Sequence, residues 1–139
     1  MFNHGACHIF AIELHRIFGY PIIRVTSKRG SHDHLACSPE EGIFLDYFGW
    51  FRRRDYEESE GIADLGIIYH ETCEAKVRER FIEGDGSGYY SEPAFVEKAK
   101  EMAQKWIERY RSHFDGTTKE PIPGLCRIKS ESDPTKIFD

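Results

Sequence analysis

Several features are missing from this 139-residue chain, and each absence removes a class of function. There is no C-x-x-C pair among its 4 cysteines, which argues against a zinc ribbon or a thioredoxin-like motif. No apolar run is long enough to cross a bilayer, so no membrane partner is expected. The N-terminus shows no basic stretch followed by an apolar core, so no signal peptide is expected. The corresponding expectation is a cytoplasmic protein with reduced thiols. Charge of one sign is also lacking. With 19 basic against 24 acidic residues, the net charge of −5 leaves no electrostatic footprint for nucleic acid. Internal repeats and low-complexity tracts are absent, and nothing specifies a cofactor. Segment 84–88, GDGSG, lacks the lysine and the flanking strand of a phosphate loop.

What is present supports one folded domain. Aromatics reach 14% and apolar residues 40%, and a chain of this size buries roughly two-thirds of its unfolded surface. We expect a domain over residues 1–116 and a polar, proline-containing tail over 117–139 that drapes on the domain or stays mobile. The segment 7–18, bounded by Gly5 and Gly19, places Phe10, Ala11, Leu14, Ile17 and Phe18 on one helical arc with Cys7 at its middle. Ile9 and Ile12 lie off that arc, as in a helix covered on two sides. The run 20–26 reads as a strand, and 34–38 and 43–48 read as a hairpin around the turn chemistry of Pro39–Gly42. The charged segment 52–60 reads as a solvated connector, and 62–69 as a strand or a short helix. Thr72 caps a helix reaching about residue 82. A long helix over 92–114 carries Phe95, Ala99, Met102, Ala103, Trp106, Tyr110 and Phe114 as a core or partner stripe. The fold class is therefore α+β: a cysteine-bearing N-terminal helix on a small antiparallel sheet, with a long helix toward the C-terminus.

The segment from Gly5 to Gly49 holds the sharpest chemical signal. A thiol at a helix N-terminus sits where the dipole and free N–H groups favour the thiolate. An imidazole nearby takes the thiol proton, and a carboxylate on the far ring nitrogen fixes the tautomer. Cys7, His34 and Asp46 follow in that order on suitable elements. The Cys7 N–H supplies half of an oxyanion hole, and Asn3 or His4 is a candidate for the other half. Hairpin register decides the geometry. Pairing Ser38 with Gly42 sets His34 opposite Asp46 on one face, whereas pairing Ser38 with Ile43 separates them. His32 competes with His34 as the base, and His8 is read as a surface or substrate-side group. Trp50 and Phe51 are candidates for a substrate cleft, while Tyr47 and Phe48 are assigned to the core. Cys37 and Cys73 are read as structural thiols and Cys126 as an exposed one. A zinc reading from Cys7, His32, His34 and Asp46 ranks below the triad, because the spacing matches no ligand motif.

The stretches GACHIFAIELHRIFGYPI and HLACSPEEGIFLDYFGW resemble a papain-like or transglutaminase-like cysteine-enzyme core. They are similar to small bacterial and phage proteins with a G-x-C-H-x-x-A helix, a histidine strand and an L-D-x-x-G strand. The resemblance covers about the first third of the chain. It implies Cys7 as nucleophile, His34 as base and Asp46 as orienter. The expected function is a thiol-dependent hydrolase or acyl transferase acting on an amide, ester or isopeptide bond, with a protein or peptide as substrate or target. No glutamine stands upstream of Cys7, where papain-like peptidases usually carry one. That departure, with the many aromatics, motivates the rival: a binding protein of phage type that inhibits a host or defence complex without catalysis. A third expectation is a homo-oligomer paired through the long helix.

Overall fold

A computed structural model describes residues 6–30, 32–80 and 93–125 of the chain. Twelve residues form the first helix, α1 (Cys7–Phe18), which stops at Gly19. Gly19 takes a left-handed conformation at φ +78°, and its N–H bonds to the His15 carbonyl. The strands are β1 (Ile22–Ser27), β2 (Asp33–Cys37), β3 (Ile43–Asp46), β4 (Gly49–Arg52) and β5 (Ile67–Thr72). Among the described residues they form one antiparallel sheet in the order β4-β3-β2-β1-β5.

The sheet is covered on both faces, and its alternating side chains sort accordingly. Ile22, Leu35, Cys37, Leu45 and Trp50 join α1 in one apolar cluster. Ile23, Val25, Ala36 and Phe44 point the other way, into a second cluster with Tyr56 and Ile62. The helix α4 (Pro93–Arg109) lies on α1, so α1 is enclosed between sheet and helix. This explains why His8 to Leu14 are all buried, Ile9 and Ile12 included. The stripe of α4 is core: Phe95, Ala99, Ala103, Trp106 and Ile107 are buried within this chain. The helix ends at Arg109, and Phe114 follows a short 3-10 turn to pack edge-on against Phe10 at 5.7 Å.

Three local expectations are corrected. Residues 53–60 are not a solvated connector but a helix, α2 (Arg53–Glu60), whose one buried residue is Tyr56. Thr72 does not cap a helix; it ends β5, and α3 (Glu74–Arg78) is capped at Cys73 without a side-chain bond. Cys73 is accordingly exposed. Neither anticipated hairpin register occurs, because β2 and β3 pair Cys37 with Leu45. The Ser38 hydroxyl donates toward the carbonyls of Glu40 at 3.0 Å and Ile43 at 2.8 Å, which closes a wider turn and takes Ser38 and Gly42 out of the ladder.

Residues 117–125 drape over the domain, with Ile122 only 2% exposed. Residues 1–5, 84–88 and 126–139, with Asn3, His4 and Cys126, lie outside the described residues. No helix among the described residues is long and apolar enough to cross a membrane.

Candidate active site

The site forms where the N-terminus of α1 meets the start of β2. Continuing the Cys37–Leu45 register sets Asp46 opposite Ala36, two residues from His34 and on the same face of the sheet. The shift of two residues keeps the parity that a shift of one would destroy. Asp46 therefore reaches His34 diagonally, and His34 Nε2 lies 3.2 Å from Asp46 Oδ2. The second carboxylate oxygen, Oδ1, accepts the Phe48 N–H at 3.0 Å. Asp46 is 2% exposed, so both of these contacts are made away from water.

The His34 ring is held on one side by aromatic faces. It stacks at 5.8 Å on Phe44 and at 6.3 Å on Tyr56, which themselves stack at 3.7 Å. His32, the competing histidine, has a different partner: its Nε2 is 2.6 Å from the Tyr56 hydroxyl. Tyr56 was not expected at the site. Its one available signal was its place as the sole aromatic in a charged segment.

Cys7 approaches from the α1 side. Its half-buried thiol lies by the His34 ring, the His8 ring and the Leu35 backbone, all of which favour its charged form. Burial pushes the Cys7 thiol up, but the His34 charge and these neighbours outweigh it and bring it down to about 6. Burial likewise depresses His34, yet the Cys7 charge and the Asp46 carboxylate raise it to about 10. Between those values the pair is a thiolate and an imidazolium, and the two protons belong to the pair.

The remaining expected residues fall elsewhere. His8 is not at the surface but 1% exposed, because the enclosed α1 buries every residue from His8 to Leu14; its ring lies against the thiol. Trp50 is 5% exposed and packs in the core below α1, so it lines no open cleft. Among the described residues no group of three or more His, Cys, Asp and Glu side chains is arranged to hold a metal ion. His34 is engaged by both Cys7 and Asp46, and His32 by Tyr56. What this arrangement can do chemically is ionise a thiol beside a cation whose orientation a carboxylate fixes. No protein-family model, curated protein or solved structure matches this chain.

Proposed function

We propose that the protein is a thiol-dependent hydrolase or acyl transferase of papain-like chemistry, with Cys7 as nucleophile, His34 as acid and base, and Asp46 as orienter. One observation carries this reading: the buried Asp46 carboxylate lies 3.2 Å from His34 Nε2, and that ring stands beside the Cys7 thiol, which it draws down to about 6. The thiolate sulfur adds to the carbonyl carbon of an amide or ester, and the π pair moves to oxygen. The Cys7 N–H, in the first turn of α1 and so outside the helical ladder, is the candidate donor to that oxyanion. Collapse of the adduct breaks the bond to the leaving group, which takes the proton of the His34 imidazolium. Water, or an acceptor amine, then adds to the thioester while His34 takes its proton, and the thiolate departs.

A binding-only reading drew on surface aromatics. Tyr47, Phe48 and Trp50 are instead buried, and the exposed large apolar residues among those described are Ile17, Leu65 and Ile68. The test is capture of the thioester. Incubation with short acyl p-nitrophenyl esters followed by acid quench should leave one acyl group on Cys7 by peptide mass spectrometry. The adduct should vanish in Cys7→Ala and in His34→Ala. Acylation that ignores His34, or that falls equally on Cys73, counts against the proposal.

A further inference from the structure

The loop that carries the acid has one local side-chain bond, from the Phe48 N–H to Asp46, and is otherwise held from outside. Asp46 and Gly49 pair across a two-residue hairpin loop, Tyr47-Phe48. Such loops favour residues that adopt positive φ, because only the mirror-image turns match the twist of the strands. Neither Tyr47 nor Phe48 has positive φ, and both are bulky. Their carbonyls are held from outside the hairpin. The Trp106 indole N–H on α4 donates to the Tyr47 carbonyl at 2.7 Å, and the Ile122 N–H donates to the Phe48 carbonyl at 2.8 Å. Pro121 bridges to Gly49, and Ile122 is buried. Gly49 permits this approach. Its φ is +103°, and a β-carbon there would stand 3.0 Å from the Ile122 nitrogen and 3.3 Å from the Glu120 carbonyl oxygen.

We infer that Trp106 and the strap at residues 120–122 are positioning elements for Asp46: they hold the turn so that its carboxylate meets the His34 ring. The inference rests on the Cys7–His34–Asp46 reading and extends the machinery to parts of the chain more than 50 residues away from the acid in sequence. Trp106 acts through the Tyr47 carbonyl, the turn, and then the carboxylate.

The titration of the His34 ring, followed by NMR of its imidazole signals, reports this directly, because a carboxylate drawn away from the ring holds its proton less. Trp106→Phe keeps an aromatic ring and removes the donor. Gly49→Ala crowds the strap off the turn. Both should move the His34 midpoint down by roughly one pH unit. Phe95→Leu, on the same α4 stripe, and Gly116→Ala, at φ +92° in open space, should lower the melting temperature and leave the midpoint in place. Where Trp106→Phe does not fold, Gly49→Ala decides. A wild-type His34 midpoint raised toward about 10 that neither variant moves overturns this inference alone. A wild-type midpoint in the ordinary imidazole range overturns the triad reading, and the inference falls with it.

Discussion

Two thiols lie between α1 and β2, and they meet opposite fates. Cys37 points from β2 into the apolar cluster beneath α1, and its Sγ donates to the Ala11 carbonyl at 3.3 Å. Burial is the sole influence on it and pushes its pKa far up, so it stays a neutral thiol. Cys7 sits at the other end of the same contact, also desolvated, yet it is brought down to about 6. The difference is His34, which Asp46 backs through Nε2. Desolvation alone silences a thiol; desolvation beside a held cation turns it into a nucleophile.

The most severe way to break this contrast is to remove the cation. His34→Ala leaves Cys7 with burial and no counter-charge, and any hydrolase activity should fall by about 10²–10⁴-fold, measured as ester turnover. The pH profile sharpens the contrast next. A thiolate gained as pH rises through about 6 switches activity on, and an imidazolium lost as pH rises through about 10 switches it off. Turnover should therefore trace a bell with a plateau between those limits. Asp46→Asn removes the charge that helps hold the proton on His34. The alkaline limb should move down by roughly one pH unit, read from the same profile. On the silent side, Cys37→Ala should leave alkylation of Cys7 untouched and lower stability by roughly 1–2 kcal/mol in urea unfolding. The smallest effect belongs to Tyr56→Phe. Losing the hydroxyl opposite His32 should lower stability by about 1 kcal/mol by the same measurement, while the stack behind His34 keeps the Cys7 profile.

Much of this contrast was legible in the sequence. Glycine bounds and apolar spacing marked the helix at 7–18, and alternation around a proline turn marked the hairpin bearing His34 and Asp46. The register was not legible, because the turn that leads into it is closed by several bonds at once: the Ser38 hydroxyl to the Glu40 and Ile43 carbonyls and the Ile43 N–H to the Glu40 carbonyl. Tyr56 was hidden by composition. Six charged residues among the eight of α2 read as a solvated loop, but a helix presents only one side to the sheet, and one aromatic was enough to fill it. The strap was illegible for another reason. The Ile122 N–H and the Phe48 carbonyl are backbone groups, which any residue but proline supplies equally, so their pairing leaves no mark on side-chain pattern.

The central claim is that His34 ionises Cys7. The most direct measurement is the pH midpoint of alkylation at Cys7 in wild type and in His34→Ala, read at peptide level with Cys73 as the exposed internal standard. The account predicts a wild-type midpoint near 6 for Cys7 and a rise to or above the ordinary thiol value of about 8.5 once His34 is gone. Identical midpoints for Cys7 before and after the substitution would contradict it.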